Sequence, residues 1–139
     1  MILCDTGPLV AAALRRDPDH HACVELFTGL RLAGRRLLLP PMVIAEVGYM
    51  LQTYGSPEVE AQFLEGVAAG DFETVELVAE DYTRIVELVK QYVGFPLGVT
   101  DASVIALAER LGVSEIATLD HRHFRGIEPR HVTAFTLQP

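Results

Sequence analysis

Three stretches of this chain are apolar on every side chain and too short to be helices: Ile2-Leu3-Cys4, Leu37-Leu38-Leu39, and Ile116-Ala117 within Glu115 to Leu119. A strand with one face in water alternates apolar and polar residues, so a strand apolar on both faces must be covered on both. The segments between these runs carry helical spacing. Strand and helix therefore alternate, which specifies an α/β chain: a three-layer α/β/α sandwich around a central, mostly parallel sheet.

Local chemistry marks the elements. Asp5-Thr6-Gly7-Pro8 opens a helix reaching about Leu14, and Asp17-Pro18 reads as the cap and first-turn proline of a helix to Gly29. Pro40-Pro41 ends the second strand and opens a helix from Met42 to Tyr54. Ser56-Pro57 starts another, which Gly70 stops. A strand is expected over Phe72 to Leu77, and Tyr82, Ile85, Val86 and Val89 give a helix over Glu80 to Tyr92. Thr100 is the expected cap of a helix Asp101 to Leu111, closed by Gly112. Strands follow over Glu115 to Leu119 and Val132 to Leu137. With 139 residues, no repeat and no linker, a single domain spanning 1–139 is expected.

Half the residues are apolar and no tract is of low complexity, which excludes a disordered chain. No apolar run approaches the roughly 18 residues that cross a bilayer, and the start lacks the pattern of a secretory signal. A cytoplasmic location without membrane contact is the expectation. Cys4 and Cys23 lack metal-ligand spacing and read as core thiols.

Four acids stand where the surrounding sequence is apolar. Asp5 and Asp120 end strands, Glu46 shares a helix face with Val43, Val47 and Met50, and Asp101 opens the apolar helix through Val104 and Ile105. Ligands of parallel sheets bind beyond the carboxyl ends of the strands. The helix of Asp101 runs antiparallel to the strands, so it begins at that same edge, and all four acids are placed there. A carboxylate in apolar surroundings is costly unless paired or bound to a cation, and three of the four have no lysine or arginine beside them. Taken singly, Asp5 and Asp101 could cap or complement a helix, Asp120 could serve a turn, and Glu46 could pair with a distant arginine. A shared hard cation, Mg²⁺ or Mn²⁺ rather than zinc, accounts for all four together. An ion held this way acidifies water and offsets charge on a phosphodiester, pointing to in-line hydrolysis without a covalent intermediate.

Thr6 and Thr118 are hydroxyls beside Asp5 and Asp120 that could support a carboxylate or a metal-bound water, although Thr118 reads first as an ordinary β-branched strand residue. His121 and His123 are candidate ligands by residue type, although alternate positions in a polar loop more often form a solvated surface; Arg122, His123 and Arg125 are candidates for contact with substrate phosphates. The net charge of −8 runs against a nucleic-acid ligand. Divalent ions would offset part of it, and arginines bunched at Arg15-Arg16, at Arg31, Arg35 and Arg36, and at Arg122 and Arg125 could form a local basic rim.

These blocks, Ile2-Leu3-Cys4-Asp5-Thr6, Val43-Ile44-Ala45-Glu46-Val47, Thr100-Asp101-Ala102 and Ile116-Ala117-Thr118-Leu119-Asp120 with His123-Phe124, occur in the order found in PIN-domain ribonucleases. The chain resembles that family over nearly its whole length, and within it the VapC-type toxins of toxin–antitoxin pairs. The resemblance implies an α/β/α sandwich, Mg²⁺ or Mn²⁺, cleavage of single-stranded RNA, a homodimer and a small antitoxin partner. It assigns the catalytic and metal-binding acids to Asp5, Glu46, Asp101 and Asp120. Gly7-Pro8 departs from the family, where serine often follows the Asp-Thr pair, leaving Thr6 as the supporting hydroxyl there.

A haloacid-dehalogenase-like phosphatase also begins with an aspartate after its first strand, but needs an acid two residues on, where this chain has Gly7, and a placed lysine, where it has only Lys90. A receiver domain fails for similar reasons. The non-enzymatic alternative is a silent PIN fold that only binds RNA or protein. Between Asp17 and Leu64, Val24, Phe27, Leu30, Met50, Leu51, Tyr54 and Phe63 offer a groove for an amphipathic antitoxin segment, or plain core and dimer contact.

Overall fold

The computed structural model describes residues 1–139. Its elements are β1 (Ile2–Cys4), α1 (Thr6–Ala13), α2 (His20–Leu32), β2 (Leu37–Leu39), α3 (Pro41–Tyr54), α4 (Pro57–Ala68), β3 (Glu73–Thr74), α5 (Ala79–Gln91), α6 (Val99–Leu111), β4 (Glu115–Ala117), α7 (His121–Arg125) and β5 (Thr136–Gln138). The strands form one sheet in the order β3-β2-β1-β4-β5, and every pairing is parallel. Leu3 lies opposite Leu38 on one side and Ile116 on the other. β1 is thus the central strand, and its three residues are wholly buried.

Right-handed crossovers carry α1 to α4 to one face of the sheet and α5 and α6 to the other. The packing follows: α1 lies against both α2 and α3, α3 against α4, and α5 along α6. Every residue of α6 from Ala102 to Ala108 is buried, which is why it shows no polar face.

Local signals hold where they are strongest. The Ser56 hydroxyl accepts the Val59 N–H to start α4, and Gly112, at φ +68°, closes α6. Elsewhere boundaries move. Asp17 does not cap α2; its carboxylate takes the Asp19 N–H at 2.8 Å in a turn, and the helix begins at His20. Thr100 does not cap α6, which starts at Val99 after Gly98. The Thr100 carbonyl instead accepts the Ser103 hydroxyl. The outer strands β3 and β5 are shorter than expected because each has a neighbour on one side only. α7 occupies a stretch expected to be loop.

Arg35 pairs with Glu115 at 2.9 Å, and Arg36 holds Glu73 through two bonds of 2.6 and 2.9 Å. Both arginines precede β2, at the amino edge of a parallel sheet. They belong to the end opposite the acids and form no basic rim around them. Cys4 and Cys23 are free and buried, and burial pushes the Cys4 thiol up to about 12. No helix is long and apolar enough to cross a membrane.

Candidate active site

The chain runs outward from β1 through β2 to β3, then returns to place β4 on the other side of β1. The crevice at the carboxyl ends of β1 and β4 is where the winding direction reverses, the position at which open α/β sheets bind ligands. Asp5 follows β1 directly, and its N–H donates to the Ala117 carbonyl of β4 at 2.9 Å.

Asp5 is only 4% exposed and its carboxylate caps no helix. It accepts the hydroxyl of the fully buried Thr118 at 2.8 Å, and the same hydroxyl accepts the Asp120 N–H at 2.9 Å. One threonine therefore fixes two of the acids. Glu46, in the second turn of α3, accepts the Thr6 hydroxyl at 3.3 Å. Asp101 lies in the first turn of α6. Asp120 caps α7 by accepting the His123 N–H at 3.3 Å, and its second oxygen meets His123 Nδ1.

The carboxylates share one electrostatic field. Burial raises the Asp5 carboxyl, against the opposing bonds from Thr118 and Thr6, and the charges of Glu46 and Asp120 raise it further. Asp101 is pushed up to about 7, first by burial, then by Asp5 and Asp120, with His123 opposing and Glu46 adding. No lysine or arginine forms an ion pair with any of the four. Asp81 provides the contrast. This buried acid, away from the rim, accepts Arg110 Nε at 3.0 Å on both oxygens and also the Val78 N–H. The rim acids have no such partner.

That donor set suits a hard divalent cation, whose positive charge would replace the missing arginine. Ligand atoms of Asp101, Asp120 and His123 lie within 4.8 Å of one another, whereas Asp5 and Glu46 stand outside this tightest group. His123 therefore joins the acids as a candidate ligand, a role its residue type allows although its place in a polar stretch favours a solvated loop. The signal was present in its spacing: three residues after Asp120, a helical turn returns its side chain to the acid. His121 is different, with its ring nitrogen on the Thr118 carbonyl at 3.1 Å. The Arg122 guanidinium lies 5.7 Å from the centre of the Phe95 ring, and Arg125 is exposed.

The PIN domain family matches residues 2–128 of the chain. The chain belongs to the PIN domain family. Over 138 residues this PIN domain is 30% identical to Ribonuclease VapC26 of Mycobacterium tuberculosis, covering 99% of this chain and 100% of that protein. Its fold is similar to that of VapC20 of Mycobacterium tuberculosis, a Sarcin-Ricin loop cleaving toxin, with a TM-score of 0.74 at 14% identity over 84% of this chain and 87% of that one. FitAcB from Neisseria gonorrhoeae superposes with a TM-score of 0.59 at 20% identity, over 100% and 97% of the two chains.

The apolar surface expected between Asp17 and Leu64 is divided in this PIN domain. Phe27, Leu30 and Leu51 are core, while Val24 and Tyr54 are exposed. The core assignment follows from α2 and α3 both packing on α1. A cavity of about 400 Å³ remains between α1, α2 and α4, lined by Leu9, Val24, Phe27 and Phe63 with Arg15 and Arg31 at its margin.

Proposed function

We propose that this PIN domain is an endoribonuclease, the toxin of a toxin–antitoxin pair. It would hydrolyse single-stranded or loop RNA in the cytoplasm with Mg²⁺ or Mn²⁺ held by Asp5, Glu46, Asp101 and Asp120. The observation that carries this reading is the meeting of four carboxylates, none paired with lysine or arginine, at the switch point of the sheet. The kinship with Ribonuclease VapC26 supports the substrate class. A divalent ion at these acids supplies activation of water and neutralisation of charge gathering on the phosphate. The chain's own groups do the rest. Thr118 locks Asp5 and Asp120 in register, Thr6 orients Glu46, and Arg122 and Arg125 stand beside Asp120 as donors to substrate phosphates.

Two partner surfaces accompany this reading. The α1/α2/α4 cavity, largely apolar with Arg15 and Arg31 against a single acid, Asp71, suits an amphipathic antitoxin segment carrying acidic residues. On α5, Tyr82, Val86 and Val89 form an exposed apolar stripe at helical spacing, extended past the helix end by the exposed Val93, which suits a homodimer.

Cleavage of end-labelled single-stranded RNA, measured with Mn²⁺, with EDTA and in Asp5→Asn, tests the proposal. Activity lost in EDTA and in the folded variant supports it. Full activity in Asp5→Asn overturns it, and binding without cleavage in the native protein identifies a silent PIN module.

A further inference from the structure

Beside the acids, α3 and the start of α6 enclose a groove of about 630 Å³. Met42, Ala45 and Tyr49 form one wall along a single stripe of α3, Val99 belongs to the other, and Glu46 and Asp101 stand at its end. Tyr49 is 67% exposed and Val99 54%, although both are large apolar side chains at the mouth of the site. We propose that this groove is a nucleobase subsite. Tyr49 stacks on the base next to the phosphate held at the acids, and Val99 closes over its other face.

The charge distribution selects this occupant. No lysine or arginine lines the groove, and its only charges are the two carboxylates. A phosphate is repelled there, whereas an uncharged flat ring is accepted. Arg122 and Arg125 lie on the opposite flank, in α7 after Asp120, where phosphates are attracted instead. A single strand crossing the acids thus has its backbone directed toward α7 and a base toward α3. Aromatic side chains serve single-stranded RNA in this way because every base offers a stacking face. The amino end of α6 opens into the groove without a side-chain cap, which leaves amides of its first turn free to donate to base-edge acceptors.

This inference rests on the ribonuclease reading, and its test separates the two. Binding of a labelled single-stranded RNA of mixed sequence is measured by fluorescence anisotropy in an Asp5→Asn background, which prevents turnover, with the oligomeric state followed in parallel. Tyr49→Ala should weaken binding roughly tenfold, the effect of losing one stacked base, while Tyr49→Phe and Tyr49→Trp retain it. Replacing nucleotides one at a time by abasic units should reveal one position where native Tyr49 loses affinity and Tyr49→Ala does not. The side chain is exposed, so these variants keep the fold. Equal binding by Tyr49→Ala and Tyr49 overturns the subsite and leaves the ribonuclease reading intact. Absence of RNA binding in every variant overturns both. Conversion of a dimer to a monomer by Tyr49→Ala assigns the groove to a second copy of the chain and overturns the subsite.

Discussion

The ring of Phe95 lies across Gly126 so closely that a β-carbon there would stand 2.7 Å from Cζ and 2.8 Å from Cε1. The same ring meets the His123 imidazole edge-on at 4.9 Å and sits under the Arg122 guanidinium. The loop before α6 therefore clamps α7, the helix that carries the histidine and the arginines. Gly126 has an ordinary helical φ of −79°, so glycine is required for space rather than for backbone freedom. Gly126→Ala should cost about 1–3 kcal/mol by displacing the ring. In a Phe95→Ala background the same change should cost far less. Urea unfolding of the two single variants and the double variant measures that coupling.

Thr118→Val keeps the shape of the side chain and removes its hydroxyl. It leaves the buried Asp5 carboxylate without its side-chain donor and the Asp120 N–H without its acceptor. A loss of about 1–3 kcal/mol is expected from unfolding curves, together with a roughly 10–100-fold fall in metal affinity or RNA cleavage. Thr118→Ser should restore most of both.

The acids give the metal-free protein an unusual pH profile. Asp101 is raised from its ordinary value to about 7, and Asp5 moves in the same direction. The folded state therefore binds these protons more tightly than the unfolded state does. The resulting stability is fully present below about pH 4 and is lost as pH rises through about 7. In EDTA, Asp101→Asn should flatten this decline and be more stable than the native protein above pH 7. The gain should be on the order of 1–2 kcal/mol, given that the carboxyl is partly solvated. Thermal unfolding across pH checks the sign.

Mn²⁺ should act in the opposite sense. An ion bound only by the folded rim stabilises the native protein by about 2.7 kcal/mol at a hundred times its dissociation constant. Asp5→Asn and Asp101→Asn should lose this rise in melting temperature. Glu46→Gln and Asp120→Asn should also depress cleavage, with Asp5 and Asp101 the most damaging because each sits on a short, rigid connection. A titration of Mn²⁺ that leaves the native melting temperature unmoved at every concentration would remove the metal from the account.

Much of this architecture is written locally. β1 and β2 are legible because nothing but a covered sheet accommodates Ile2-Leu3-Cys4 and Leu37-Leu38-Leu39, and Ser56 and Gly112 announce their helix ends through chemistry confined to a few residues. The acids can be gathered from sequence because a parallel sheet sends every strand end to the same edge. Other features depend on competition or distance. Asp17 accepts the Asp19 N–H in a turn before the helix, so its acceptor serves the turn rather than α2. α7 is too short to show a period. Arg35 and Arg36 look like companions of the other arginines until their place before β2 assigns them to the far edge. Phe95 and Gly126 belong to segments that only the folded chain brings together.

The hydrogen bond from Thr118 to Asp5 joins residues 113 positions apart. A ribosome delivers the amino end first. Asp5 thus waits for a strand delivered much later to complete its surroundings, because β4 is the neighbour on the open side of β1. Until β4 arrives, Asp5 and Glu46 have neither Thr118 nor Asp120 beside them. The strand order works as a timer: a chain that has not yet delivered β4 cannot bring its carboxylates together.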